Sequence, residues 1–105
     1  MEKQYVVIFH NKLKDHSEKY LKLASEMQSL AEKQNGYIGI QSVRDEDGIG
    51  ITVSYWDSME SIQNWKANTD HLAAQAYGIK DGYEWYNLTV AEVCYQRSHP
   101  LNTNG

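Results

Sequence analysis

Residues Tyr37–Trp56 read YIGIQSVRDEDGIGITVSYW, two apolar arms about a charged turn, and the rest of the chain organises around them. The arms, Tyr37–Val43 and Ile49–Trp56, are rich in β-branched and aromatic residues and predict two strands. The RDEDG between them carries Asp47-Gly48, a pair that tolerates the positive φ of a tight hairpin. The second arm has two different faces. Ile49, Ile51, Val53 and Tyr55 alternate with Gly50, Thr52, Ser54 and Trp56. The first set suits packing under helices. The second, small and polar with one large aromatic, suits the lining of a concavity.

Helical patterns flank the hairpin on both sides. Upstream, DHSEKYLKLASEMQSLAEKQNG places Tyr20, Leu23, Ala24, Met27, Leu30 and Ala31 at three- and four-residue steps, one apolar face of a helix. Asp15 and Glu18 have capping-box spacing at its start, and Gly36 stands where a helix stops. Downstream, Asp57 and Glu60 repeat that spacing ahead of a helix over 58–77 that ends at Gly78. Beyond the helices lie two further strands, Gln4–His10 and Tyr86–Gln96, with IKDGYEW as a loop before the second. The order β-α-β-β-α-β predicts an α+β, ferredoxin-like domain: an antiparallel sheet with both helices on one face. Residues 1–97 form this domain and 98–105 a flexible tail.

Strand one is apolar on both sides, with Tyr5, Val7 and Phe9 facing one way and Val6 and Ile8 the other. A chain of 105 residues cannot cover a sheet twice, so a second copy is the expected cover and the protein is expected to be a homodimer. A net charge of −4 with scattered lysines and arginines argues against nucleic acid. No apolar run is long enough for a membrane span, and the single Cys94 fits a reducing compartment, so a cytoplasmic protein is expected. Cys94, within the expected last strand, reads as an inert buried thiol. The four histidines show no short metal-ligand spacing, so no metal site is expected.

The second helix carries the candidate chemistry. Ile62, Trp65, Thr69, Leu72, Ala73 and Ala76 share its apolar face, while Asn64, Asn68, His71 and Gln75 follow steps of four, three and four along one edge. Such a stripe of uncharged hydrogen-bonding groups is either a solvated border or a pocket wall. As a wall it lines a cavity between helix and sheet, with Trp65 on the apolar side and Trp56 or Trp85 near the mouth. Trp65 is either a core anchor or an indole donor to a carbonyl or to dioxygen. His71 is either a structural hydrogen-bond partner or a general base. Tyr83, Trp85 and Tyr86 either cover the core end or close a site.

NGYIGIQSVRDEDGIGITVSYWDSMESIQNWKANTDHLAAQAYG followed by WYNLTVAEV resembles the antibiotic biosynthesis monooxygenase (ABM) family of dimeric α+β barrels. The resemblance covers nearly the whole domain. It rests on the glycine-aromatic entry to strand two, the YW closing strand three, and the helix series of W, H, AQ and G. It implies a homodimer with its sheets packed together and a cavity beside each. Characterised members include oxygenases that oxidise aromatic polyketides with dioxygen and no cofactor, and others degrade haem. Trp65 matches the family's recurrent helix tryptophan. The haem-degrading branch has a histidine further along that helix, to which Gln75 is the nearest position here, a departure from haem ligation, and an asparagine at the end of strand one, near Asn11.

The leading expectation is therefore a cofactor-independent monooxygenase acting on a planar aromatic or enolisable small molecule. Trp65 and Asn68 would orient the substrate and His71 would act as base. Asn64, Gln75, Trp56, Tyr83 and Trp85 would bind it. The alternatives are a non-catalytic dimeric protein that binds a hydrophobic or aromatic small molecule, and a haem-binding or haem-degrading protein.

Overall fold

The elements run β1 Tyr5–Leu13, α1 Glu18–Glu32, β2 Tyr37–Arg44, β3 Ile49–Trp56, α2 Met59–Ala76 and β4 Tyr83–Glu92. The computed structural model describes residues 3–14, 18–76 and 82–99, the side chains of residues 19, 20, 23 and 71–76 excepted. The strands form one antiparallel sheet in the order β2-β3-β1-β4, the expected ferredoxin-like arrangement. Asp15, Tyr77 and Gly78, expected at helix ends, lie outside the described residues, as do residues 100–105 of the expected tail.

The hairpin forms as its sequence dictates. Gly48 takes φ +88°, and Asp45 N–H donates to Ile49 O at 2.9 Å. Asp45 Oδ1 also accepts from the Asp47 and Ile49 amides, each at 2.9 Å, so this carboxylate is committed to the turn. The other capping expectation needs revision. Ser58, not Asp57, caps α2, its Oγ accepting from Ser61 N–H at 3.1 Å. Asp57 Oδ1 instead accepts from the Ser61 hydroxyl at 3.4 Å, while its own amide donates to Gly36 O at 2.9 Å.

The outer boundaries also shift. β1 runs on to Leu13, beyond the expected end at His10, because Asn11 and Lys12 keep pairing with Gly50 and Ile49. β4 begins at Tyr83 rather than Tyr86, since Tyr83 and Trp85 pair with that extension of β1 across a bulge. β4 ends at Glu92, paired with Tyr5 at the start of β1, and Val93 N–H makes a last bond to Gln4 O. Cys94 is therefore exposed and outside any strand, not buried as its position in the expected strand suggested.

Strand register sorts every sheet residue to a face, and here the largest correction arises. Trp56, Ser54, Thr52 and Gly50 lie beside Tyr5, Val7, Phe9 and Asn11 on the helix side. Ile49, Ile51, Val53 and Tyr55 lie on the opposite side with Lys12, His10, Ile8 and Val6, the reverse of the expected assignment. The core accounts for it. Trp56 is 0% exposed among Val7, Ala31 of α1 and Ile62 of α2. Its indole N–H donates to Ser54 Oγ at 2.9 Å, so a polar residue beneath the helices is what satisfies the buried donor. Trp65 stacks on Trp56 with ring centroids 5.1 Å apart, and Tyr37 meets Trp56 edge-on at 5.9 Å.

Trp65 is half-buried, and its indole N–H donates to Met27 O on α1 at 3.3 Å. Trp65→Ala is expected to cost roughly 3 kcal/mol in urea denaturation, the lower end of the range for large aromatics. Trp65→Phe keeps most of the stacking and should cost about 1 kcal/mol for the lost hydrogen bond.

Candidate functional site

On the helix side the sheet divides into two halves. Near Trp56 the rows are filled by helix side chains. Toward the hairpin end, one row crosses all four strands as Arg44, Gly50, Asn11 and Tyr86, and the next as Ser42, Thr52, Phe9 and Leu88. These rows are polar and aromatic, and Tyr86 and Leu88 are exposed.

Arg44 begins on the edge strand, yet its Nη1 reaches across β3 to Asn11 Oδ1 at 2.9 Å and also donates to Gly48 O at 2.7 Å. The residue in its path is Gly50, and a Cβ there would stand 2.6 Å from the guanidinium carbon. Glycine at this point lets the guanidinium lie flat over the strand. Asn11 is only 1% exposed and is fixed by that bond, with a long contact of 3.5 Å from its Nδ2 to Phe9 O.

Aromatic rings wall the same end. Phe9 meets Tyr83 edge-on at 5.4 Å and Tyr86 at 5.8 Å, and the two tyrosines are 6.0 Å apart. Burial raises the Tyr83 phenol above its ordinary value, an effect partly opposed by the nearby Arg44 cation. Tyr83 thus remains a protonated donor through neutral pH, beside a fixed positive charge. Ser42 and Thr52 add a pair of hydroxyls 2.8 Å apart on the adjoining floor.

Of the residues singled out by sequence, Tyr83 and Tyr86 belong to this cluster. Trp56 is sealed in the core and cannot stand at a cavity mouth. Trp85 pairs with Lys12 on the opposite face of the sheet and meets His10 edge-on at 4.8 Å. Trp65 spends its N–H on α1 and serves as packing. Asn64 and Asn68 are exposed on α2. The side chains of His71 and Gln75 lie outside the described residues. Arg44 went unnoticed in the sequence. The available signal was a cation at the end of a strand opposite a glycine, legible only once register places Arg44 against Gly50 and Gly50 against Asn11.

A shallow open depression of about 300 Å³ adjoins Arg44, Gly50 and the hairpin; another, of about 290 Å³, lies along α1 beside Ser25, Ser29 and Lys33. The former is lined by Val43, Ile49 and Ile51 of the opposite sheet face as well as by Arg44, Asp45 and Gly50, and by none of Phe9, Asn11, Tyr83 or Tyr86. Among the described residues no group of three or more histidine, cysteine or acidic side chains is placed to hold a metal ion. The cluster can instead bind a flat ring against Phe9, Tyr83 and Tyr86 and present hydrogen-bond donors to an oxygen on its edge.

The comparisons with known proteins agree with this architecture. Among solved structures, a mutant form of SnoaB, a cofactor-independent oxygenase from Streptomyces nogalater, superposes with a TM-score of 0.69 at 9% identity, covering 92% of this chain and 97% of that one. A dabb family protein with a ferredoxin-like fold from Mesorhizobium loti gives a TM-score of 0.62 at 11% identity, covering 86% and 96%. These likenesses establish the fold. In sequence, the chain is 46% identical over 100 residues to the uncharacterized protein YqjZ of Bacillus subtilis, spanning 95% of this chain and 88% of that one. The profile of the antibiotic biosynthesis monooxygenase family matches residues 4–77, most of the domain. With the strand order, the helix pair on one face and the tryptophan of α2 all in place, the chain belongs to the antibiotic biosynthesis monooxygenase family.

Proposed function

We propose that the protein is a cofactor-independent monooxygenase that oxidises a planar, enolisable or phenolic aromatic molecule at the hairpin end of the helix-side face. The observation that carries this reading is the convergence of the Phe9, Tyr83 and Tyr86 rings with buried Asn11 and the Arg44 guanidinium, an aromatic surface with hydrogen-bonding groups at one end. α2 leaves the sheet after Trp56, and β4 re-enters beside Leu13 at the opposite end, so α2 returns toward the cluster. His71, in the last turns of α2, is the proposed base, with Asn68 one turn before it.

The chemistry balances without an added redox group. A base removes a proton from the activated carbon, and the resulting anion passes one electron to dioxygen. The radical and superoxide combine to form a C–O bond. The hydroperoxide takes up the proton and loses water to leave a carbonyl, so one oxygen atom enters product and the other leaves as water. The protein's contribution is orientation, desolvation and hydrogen bonds to the developing oxyanion. Anthrone is a suitable probe. Oxygen uptake above the uncatalysed rate, with label from isotopic dioxygen in the anthraquinone, is the expected result. Uptake no faster than autoxidation would replace this reading with that of a non-catalytic binder, and a Soret band on adding haem would favour the haem-binding alternative.

The proposed working form is a cytoplasmic homodimer closed through the other sheet face. Support comes from its apolar character: Val6, Ile8, Val53 and Tyr55 lie there, and Val43 and Ile51 remain 72% and 38% exposed. Among the described residues no helix is long and apolar enough to cross a membrane. Light scattering should give twice the chain mass, and Ile51→Lys, which buries a charge in that contact, should shift it to one chain mass at micromolar concentration.

A further inference from the structure

We propose that Arg44 is the anion-recognition residue of this cluster, so that the preferred ligand is a planar aromatic carrying an ionised oxygen against the guanidinium. The proposal rests on the reading of the aromatic cluster as the ligand site.

Three observations point to it. First, the cation is held in place by neutral partners. Asn11 Oδ1 and Gly48 O both accept from Nη1, and neither carries charge. Second, among the described residues no carboxylate forms an ion pair with it. Its neighbour Asp45 is committed to the turn amides, and the described ion pairs, Lys3–Glu92 and Lys12–Glu84, lie elsewhere. A half-buried charge is costly to hold, and a ligand anion against it would offset that cost. Third, the guanidinium has five N–H donors in a planar fork, and its described bonds all start from Nη1. Nη2 and Nε therefore have no described acceptor and form the paired edge that matches an oxyanion.

The surroundings suit that role. Gly50 leaves the fork flat against the strand, and the Phe9, Tyr83 and Tyr86 rings stand beside it to receive the aromatic body. Tyr83, whose phenol burial raises above its ordinary value, lies near the same cation. For the proposed oxygenase this arrangement has a direct consequence. A phenol or enol bound against Arg44 ionises more readily, and ionisation is the step that precedes electron transfer to dioxygen.

The test uses 7-hydroxycoumarin, whose neutral and anionic forms absorb at different wavelengths, with coumarin as its neutral counterpart. Bound to the wild-type protein, 7-hydroxycoumarin should ionise about one pH unit or more below the free dye, equivalent to an approximately tenfold preference for the anion. Arg44→Met should abolish that shift and leave coumarin affinity within about twofold, since an uncharged ring loses no ion pair. Arg44→Lys should keep part of the shift. Gly50→Ala, with Arg44 intact, should diminish it by displacing the guanidinium. Far-ultraviolet circular dichroism confirms that each variant is folded, and a merely structural arginine would alter melting temperature without altering dye ionisation. A shift that persists in Arg44→Met, equal ionisation of bound and free dye in the wild type, or failure of both dyes to bind overturns the proposal. An Arg44-dependent shift without anthrone oxidation upholds the anion site and removes the oxygenase reading.

Discussion

Trp56→Ala is expected to be the most damaging single substitution in the protein, lowering stability by about 3–5 kcal/mol. The indole is completely buried, stacks on Trp65, meets Tyr37 edge-on and touches the helix residues Ala31 and Ile62. It links the β2–β3 half of the sheet to both helices. Its removal leaves a large void and also strands Ser54, a buried hydroxyl that accepts the indole N–H. Small domains hold a total of roughly 5–15 kcal/mol, so this loss brings the variant close to unfolding. Urea denaturation monitored by circular dichroism measures it. Trp56→Phe retains a ring and should cost distinctly less. If Trp56→Ala melted like the wild type, the core would have to lie elsewhere.

The second large effect is expected at Gly36, between α1 and β2. Its φ of +88° is one that side chains rarely adopt. Space is restricted as well, because a Cβ would fall against Ser61 Oγ and Asp57 Oδ1 and stand 2.8 Å from Ser61 Cβ. Those groups belong to the start of α2: the Ser61 hydroxyl accepts from Ser58 Oγ at 2.9 Å, and the Asp57 amide donates to the carbonyl of Gly36 itself. Gly36→Ala therefore combines a left-handed backbone penalty with disruption of a helix cap, together about 2–3 kcal/mol. Gly39→Ala is the matched control. No heavy atom lies within 4 Å of its would-be Cβ and its φ is not positive, so the change should stay within about 0.5 kcal/mol. Equal losses at the two glycines would refute the steric account of Gly36.

Much of the fold could be read locally. Asp47-Gly48 between two β-rich arms specifies a hairpin, and the three- and four-residue apolar steps specify helices, because turn chemistry and periodicity act over a few neighbouring residues. Element order then leaves few topologies. Element ends were less legible. β1 extends through polar Asn11 and Lys12, and β4 starts at Tyr83, because each strand supplies hydrogen-bond partners for the other, a condition no single segment contains.

The assignment of faces shows where local reading stops. Alternation in β3 separates Ile49, Ile51, Val53 and Tyr55 from Gly50, Thr52, Ser54 and Trp56 but does not say which set lies under the helices. Average polarity favours the isoleucines. The protein chooses the other set, since one buried tryptophan with a serine to accept its N–H fills that layer, and the isoleucine set falls on the opposite face of the sheet. The candidate site follows the same logic. Tyr83 could be named from sequence, and so could the tryptophan of α2 and the family it signals. Arg44 could not. It meets Asn11 only because β2, β3 and β1 lie side by side in one register, with glycine at the crossing point. Elements, element order and family were written in the chain, since all three are properties of neighbouring residues and their pattern. Which face became core was settled by packing in three dimensions. So was the meeting of a cation on one strand with an amide two strands away, because strand pairing joins residues 33 positions apart in the chain.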